Sequence, residues 1–187
     1  VPTPSMADGS VDLAFVESAV AMIADALPPG AVVATKSTVP VGSTLVVERT
    51  LGRHDVAVVS NPEFLREGTA VHDFLTPDRV VIGSDDPAAS ERVAALYECL
   101  GAPVVITDPA TAETVKYAAN AFLATKLSFV NAIAAVCEAV GADVDDVMTS
   151  LGHDHRIGPD FLQPGPGWGG SCFPKDTLAL VRTARDA

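Results

Sequence analysis

The apolar residues of the first hundred positions change their spacing repeatedly along the chain. Steps of three and four predict an amphipathic helix over residues 11–27, which Pro28-Pro29-Gly30 ends. Further helices are predicted up to about Leu51 and over 87–100. Short continuous apolar runs predict four strands, at 31–36, 56–60, 80–83 and 104–107. This alternation predicts an α/β fold with a sheet that is mostly parallel and covered on both faces.

The pattern changes after the fourth strand. Asp108 can cap a helix that has Pro109 at its first position, and no helix breaker follows until Gly141. Such a helix has about 30 residues and is roughly 45 Å long. Its length suggests a spine between domains or a dimer interface, and shorter helices are predicted at 143–152 and about 173–187. One apolar stripe follows the long helix: Val115, Ala119, Phe122, Phe129, Ile133, Val136 and Val140.

Composition narrows the possible partners and the compartment. The 187 residues include 12 basic and 24 acidic ones, a net charge of −12, which argues against nucleic acid or an anionic membrane as the main partner. The three widely spaced cysteines fit a reducing compartment, the cytoplasm, and no disulfide framework. Cys99 and Cys137 fall in apolar helical patterns and are predicted to be core thiols. A chain that begins at Val1 without Met and stops in a helical pattern is expected to be a piece of a longer one.

The strongest chemical signal is the loop at residues 164–176, PGPGWGGSCFPKD. Its glycines and prolines predict a shaped loop that delivers Cys172 to the start of the last helix, beside Lys175 and Asp176. A thiol near a cation and a helix N-terminus suits covalent catalysis at an oxidisable carbon. The alternative is a small buried thiol beside a tight turn.

Two pairs of polar residues could join this thiol. Lys116 and Asn120 share one face of the long helix, where Lys could stabilise an oxyanion and Asn could position a hydroxyl or a water; the alternative is a solvated strip. Glu63 and Glu67 follow a strand where α/β sheets carry ligands, and either could accept a proton. The alternative there is a surface loop with an Arg66–Glu ion pair.

Other polar motifs carry weaker signals. Ser37, Thr38 and Gly42 follow a strand and open a helix, so they could face a cofactor or a phosphate, or could simply cap the helix. The pair His153 and His155 is interpreted as a polar loop and not as a metal site.

The residues at 165–170 satisfy G-x-G-x-x-G literally. We reject them as a dinucleotide fingerprint because a helix and a loop precede them, and because the chain is too short for the βαβ unit that should follow.

Taken together, these motifs resemble the UDP-glucose/GDP-mannose dehydrogenase family of nucleotide-sugar dehydrogenases. They occur in the family's order and span essentially the whole chain. The matching stretches are VPTP at 1–4, STVPVG at 37–42, NPEFLREG at 61–68, PDRVVIG at 77–83, Lys116 with Asn120, RIG at 156–158 and GGSCFPKD at 169–176.

The resemblance implies a four-electron oxidation of a sugar C6 alcohol, with NAD as the cofactor. By motif, Cys172 would capture the aldehyde and carry a thioester, and Lys116 would stabilise the oxyanion. Asn120 and Asp176 would activate water. The other implied catalytic residues are Glu63, Glu67 and Thr38.

Binding residues follow from the same resemblance. Arg156 would reach a neighbouring subunit's substrate, and Pro2, Thr3, Ser37, Thr38 and Glu67 would hold the cofactor. Residues lining the nucleotide sugar would be Phe64, Leu65, Arg66, Gly165, Gly167, Gly169, Gly170 and Lys175.

The resemblance also divides the chain. Residues 1–108 would be the C-terminal half of an NAD-binding domain, with the second half of a doubly wound parallel (Rossmann-like) sheet. Residues 109–187 would be an all-α dimerisation domain that forms a homodimer through the long helix. The family's glycine fingerprint would precede Val1, and its nucleotide-binding domain would follow Ala187. The expected substrate is UDP-glucose; the alternatives are GDP-mannose or another nucleotide sugar, a noncatalytic dimerisation module, and, as a poorer fit, a thiol hydrolase.

Overall fold

Four short strands and seven α-helices make up the chain in the computed structural model, which describes residues 1–187. The strands are β1 (Val32–Thr35), β2 (Ala57–Ser60), β3 (Val80–Gly83) and β4 (Val104–Thr107). The helices are α1 (Ala14–Ala24), α2 (Ser43–Leu51), α3 (Ala70–Leu75), α4 (Pro87–Ala95), α5 (Pro109–Val140), α6 (Val144–Gly152) and α7 (Phe173–Asp186).

The strands form one mixed sheet in the order β1-β2-β3-β4. Two pairings are parallel: β1 aligns Val32 with Ala57 of β2, and β3 aligns Val80 with Val104 of β4. The central pairing is antiparallel and joins Ser60 to Gly83. The sheet is mostly parallel, as predicted, and its antiparallel central pair was not predicted. The only helix in residues 61–79 is the short α3, none of whose residues is buried. This segment therefore has no crossover helix that would return the chain for a parallel pairing.

Helices cover the middle of the sheet but not all of it. Helices α1 and α2 pack on β1 and β2, and α4 packs on β2 and β3. Every residue of β3 is buried. The expectation that both faces of the sheet are covered fails at β4. Val104, Val105 and Ile106 are exposed there, because no helix of this chain packs over this strand.

Several element boundaries differ from the pattern in the sequence. Helix α1 is shorter than 11–27, and α3 lies in a stretch for which no helix was predicted. Helix α4 stops at Ala95 because the next backbone N–H groups bond three residues back, and a single 3₁₀ turn follows at Glu98–Leu100. Cys99 lies in this turn and is exposed, so its assignment to the core was wrong, whereas Cys137 is buried as predicted.

Helix α5 follows the predicted limits closely. The Asp108 carboxylate accepts a hydrogen bond from the N–H of Thr111 at 2.8 Å, and Gly141 ends the helix in the left-handed conformation. Helix α7 packs along α5, and α6 closes a small core with Val130, Met148 and Leu162. By length and composition α5 could also cross a membrane, but polar side chains on its inner face bond to other segments of the chain.

Candidate active site

A cavity of about 810 Å³ lies between the loop after β2, the first half of α5 and the loop before α7. This volume is within the ~300–1,000 Å³ typical of small-molecule sites. The cavity unites segments that are more than 100 positions apart in the sequence. Its lining includes the predicted residues Glu63, Phe64, Leu65, Arg66, Glu67, Lys116, Asn120, Gly169, Gly170 and Cys172.

Helix α5 presents Lys116 and Asn120 to the cavity from its inner face. Their side chains are nearly inaccessible, at 5% and 7% exposure, so the alternative of a solvated strip does not hold. The Asn120 amide donates to the Asp176 carboxylate at 2.5 Å. This bond joins α5 to the first turn of α7, so the helix that follows the thiol is fixed against the helix that carries the ammonium group.

Asp176 is the buried anchor behind the cavity. It is 1% exposed and accepts a second hydrogen bond from the Lys175 ammonium group at 2.6 Å. The carboxylate is therefore compensated by one amide and one cation. Lys175 turns toward this carboxylate and does not line the cavity, contrary to the expectation that it would face the substrate.

Lys116 lies between a carboxylate and an aromatic ring. Its Nζ is 4.0 Å from Oε1 of Glu63 and 5.2 Å from the ring centroid of Phe64. The guanidinium of Arg79 stacks on the same ring at 3.9 Å. Glu63 also accepts a hydrogen bond from the N–H of Leu65, which turns its carboxylate back toward the cavity. The ammonium group thus has a fixed position in the cavity wall.

The thiol of Cys172 is exposed at the N-cap position of α7, as the loop pattern predicts. The alternative of a buried core thiol is therefore excluded. Its Sγ is 3.6 Å from Oγ of Ser171, and Ser171 donates to Oε1 of Glu67 at 3.2 Å. Ser171 was not singled out from the sequence, although it directly precedes the predicted nucleophile.

The loop after β2 does not contain the predicted Arg66–Glu ion pair. Arg66 instead pairs with Asp73 of α3 at 2.6 Å. This guanidinium lowers the pKa of Asp73 well below its ordinary value. The missed helix α3 thus supplies the partner of Arg66 and leaves both glutamates of the loop without an arginine.

The residues expected to hold the cofactor gather near the end of β1 and, apart from Glu67, do not line the cavity. The Ser37 hydroxyl accepts from the Val1 amino group at 3.1 Å and donates to the Val1 carbonyl at 2.9 Å. Thr3, two residues after Val1, is buried, and Thr38 and Pro40 are half-buried. This hydrogen-bonded turn brings the VPTP and STVPVG stretches together.

Three residues expected to bind substrate lie elsewhere. Arg156 is exposed and pairs with Asp154 at 2.6 Å. Gly165 and Gly167 do not reach the cavity, and the N–H of Gly165 bonds to Asn131 at 2.8 Å. The element directly before residues 165–170 is helix α6 and not a strand, which agrees with the rejection of that stretch as a dinucleotide fingerprint.

The sequence reasoning also missed two polar clusters beside the site. Glu113 is buried, and its carboxylate accepts from the N–H of Gly42 at 2.6 Å and from the N–H and hydroxyl of Thr44 at 2.9 and 2.8 Å. It joins the start of α2 to α5, and burial raises its pKa. Its spacing of three and seven residues from Lys116 and Asn120 places it on their helix face, a signal that could have identified it.

The second cluster lies in the cavity wall. Lys36 donates to the Asn61 side-chain oxygen at 3.1 Å and to the Tyr97 hydroxyl at 3.0 Å, and Tyr97 donates to the same Asn61 oxygen at 2.6 Å. This network joins the ends of β1 and β2. Nothing in the spacing of these three residues predicted it.

Comparison with known families agrees with this architecture. Residues 1–101 match the NAD binding domain of a dehydrogenase family, which places the chain among the NAD-binding α/β proteins. Residues 110–187 match the central domain of the same family. The chain belongs to the UDP-glucose/GDP-mannose dehydrogenase family.

Individual relatives cover the whole chain. It is 54% identical over 196 aligned residues to a UDP-glucose 6-dehydrogenase of Rhizobium meliloti, covering 100% of this chain and 45% of that protein. The structure of a UDP-glucose dehydrogenase from Pyrobaculum islandicum superposes with a TM-score of 0.92 at 43% identity, covering 98% of this chain and 44% of the other. A GDP-mannose dehydrogenase from Pseudomonas aeruginosa gives 0.77 at 34% identity, covering 100% and 46%. The chain therefore spans about half the length of these relatives.

Proposed function

We propose that this chain is the catalytic core of an NAD-dependent dehydrogenase that oxidises UDP-glucose to UDP-glucuronate. The observation that carries the proposal is the single cavity that collects Cys172, Lys116, Asn120 and two glutamates from segments distant in sequence. A thiol, a buried ammonium group and free carboxylates are the groups that a covalent oxidation of an alcohol to an acid requires. The match to UDP-glucose 6-dehydrogenases along the whole chain supports this choice of substrate.

NAD would supply the hydride acceptor for both two-electron oxidations. On this chain Pro2, Thr3, Ser37 and Thr38 would hold it, because they lie at the end of β1, where α/β sheets bind nucleotides. Glu67 would meet it from the cavity.

The chain's own residues would carry the remaining chemistry. The C6 alcohol would lose its proton through a water held by Glu67 and Thr38, which passes the proton to solvent and leaves Glu67 ionised. Thr38 does not line the cavity in this chain and would reach that water from the end of β1. The Cys172 sulfur then bonds to the aldehyde carbon and forms a thiohemiacetal, whose oxygen faces the Lys116 ammonium group. After the second oxidation Asn120 and Asp176 orient the water that cleaves the thioester, with Glu63 assisting near the thioester.

We propose that the loop after β2 and the loop before α7 bind the nucleotide sugar between them. Phe64, Leu65 and Arg66 would line one wall and the backbone of residues 165–170 the other, although only Gly169 and Gly170 contact the cavity in this single chain. Arg156 is exposed and does not line its own cavity, so it would serve a neighbouring subunit.

We further propose the division into residues 1–108, half of an NAD-binding domain, and 109–187, an all-α dimerisation domain. The exposed apolar side of α5 supports a homodimer. Free cysteines and the net charge of −12 support a cytoplasmic protein without nucleic-acid or membrane partners. With about half of the relatives' length, the chain alone should produce no NADH.

GDP-mannose is the alternative substrate. The lower identity to the GDP-mannose dehydrogenase, 34% against 54% for the R. meliloti protein, favours UDP-glucose. A noncatalytic dimerisation module is less favoured, because such a module has no need for buried Lys116 and Asn120 side chains at a cavity.

The test uses the full-length protein with UDP-glucose and GDP-mannose in parallel. Wild type should form two NADH per UDP-glucose, and Cys172→Ser should abolish the uronate product. Cys99→Ser is the matched control, since that thiol is exposed but does not line the cavity. Unchanged turnover in Cys172→Ser, or turnover of GDP-mannose alone, would contradict the proposal.

A further inference from the structure

Ser171 connects the thiol of Cys172 to the carboxylate of Glu67. Its oxygen is 3.2 Å from Oε1 of Glu67, to which it donates, and 3.6 Å from Sγ, which is the range of a weak hydrogen bond to sulfur. Residues 171 and 67 are 104 positions apart, so the tertiary fold, and not local geometry, sets this contact.

The direction of the two bonds follows from the protons available. A serine hydroxyl has one proton, and an ionised carboxylate can only accept. The Ser171 proton therefore points to Glu67, and the lone pairs of its oxygen are left for the S–H of Cys172. The result is a directed chain from thiol to hydroxyl to carboxylate.

Glu67 is free to receive a proton at the end of this chain. Two cations of the same cavity lining have other partners: Arg66 pairs with Asp73, and Lys116 lies near Glu63. No ammonium or guanidinium group pairs with Glu67. The Glu67 oxygen that Ser171 contacts is therefore not occupied by a cation.

We propose that Ser171 is a catalytic residue that relays the thiol proton to Glu67 during covalent capture of the substrate aldehyde, an inference that rests on the proposed function. As the S–C bond forms, the S–H bond breaks and its proton passes to the Ser171 oxygen. The original hydroxyl proton moves to Oε1 of Glu67. The carbonyl π electrons become an oxyanion, which takes a proton from the Lys116 ammonium group.

The experiment separates the two oxidations in the full-length enzyme. The first NADH forms before the thiol acts, and the second forms only after capture, so single-turnover absorbance should resolve them. Ser171→Ala should slow the second NADH by about tenfold or more relative to the first. Ser171→Thr, which keeps the hydroxyl, should restore the second to within about threefold of wild type.

Three results would overturn the relay: an unchanged second NADH in Ser171→Ala, equal loss of both NADH equivalents, or failure of Ser171→Thr to restore the second. If wild type makes no NADH, the proposed function fails, and the contact between Ser171 and Cys172 is then tested by the reactivity of the thiol. In a Cys99→Ala background, iodoacetamide should modify Cys172 more slowly in Ser171→Ala than in Ser171→Thr, and equal rates would overturn the relay.

Discussion

At the scale of single residues, Asp176 is the group on which the site geometry depends most directly. It is buried and accepts hydrogen bonds from Asn120 and Lys175. Asp176→Asn keeps the shape but turns an amide N–H₂ toward one of these donors. We expect a loss of about 3 kcal/mol in the free energy of unfolding, measured by urea denaturation, because the buried carboxylate of this ion pair is lost and a buried amide N–H₂ then faces a donor.

The matched control for this prediction is Asp186→Asn on the same helix. Asp186 pairs with Arg182 at 2.7 Å, but both side chains are exposed, so the unfolding free energy should change little. Equal losses in the two variants would show that burial of Asp176 is not what makes its pair important.

Glu113 allows a prediction about pH. Burial raises its pKa above the ordinary value of 4.5, so the folded state binds this proton more tightly than the unfolded state. Stability due to this group therefore increases as the pH falls from neutral toward about 4.5. Glu113→Gln cannot titrate, so urea unfolding across this interval should show the wild-type advantage growing at lower pH.

The same substitution at Glu138 is the control, because this residue lies exposed on the same helix, α5. Glu138→Gln should show no such pH-dependent difference. A wild-type advantage over Glu113→Gln that stayed flat, or grew toward neutral pH, would mean that the three hydrogen bonds outweigh burial.

At the scale of elements, the contact between β3 and α5 holds the sheet against the helix that carries the site. A Cβ at Gly83 would lie 2.5 Å from Cβ of Ala112 and 2.7 Å from the carbonyl oxygen of Asp108. Gly83→Ala should therefore force the two elements apart and lower the free energy of unfolding by about 1–3 kcal/mol.

Gly165→Ala is the control for this packing prediction. Its backbone does not have a positive φ, and no atom lies within 4 Å of a Cβ built there. Its thermal midpoint should stay close to that of wild type. A Gly83→Ala protein as stable as Gly165→Ala would show that β3 and α5 can separate without cost.

The elements that the sequence predicted well are those whose local signals agree. The long helix α5 has a capping Asp108, a Pro109 start and a Gly141 end, and its bounds match closely. The antiparallel β2–β3 pairing was missed because strand direction depends on the connection between strands, which for residues 61–79 has no strong pattern. Similarly, α3 buries no residue, so no periodicity marks it.

The candidate site likewise contains residues that the sequence predicted and residues that it did not. Cys172, Lys116 and Asn120 were found because motif and helix spacing place them, and the structure brings them to one cavity. Ser171 and Asp73 were missed because their importance comes from tertiary partners, Glu67 and Arg66. Lys175 was misplaced because sequence proximity to the thiol does not determine where a long side chain turns.

At the scale of the whole molecule, the exposed apolar face of α5 supports the proposed homodimer. Phe129, Val136 and Val140 are 51%, 54% and 70% exposed at steps of seven and four, one face of the helix. A second copy packed on this face would bury it, and helices that pair in this way commonly form dimers. The same face carries no part of the Asn120–Asp176 contact, so pairing would leave the site intact.

We expect the proposed homodimer to have a mass of twice the 19.2 kDa of one chain, measured by size-exclusion chromatography with light scattering. The double variant Phe129→Asp, Val136→Asp should run as a monomer with unchanged circular dichroism, because its new charges would be buried between two copies. Met22→Asp, at an exposed apolar residue of α1, should remain a dimer. A wild-type monomer at every concentration, or a dimer that survives both charges, would place the interface elsewhere and leave Arg156 without a neighbouring cavity to reach.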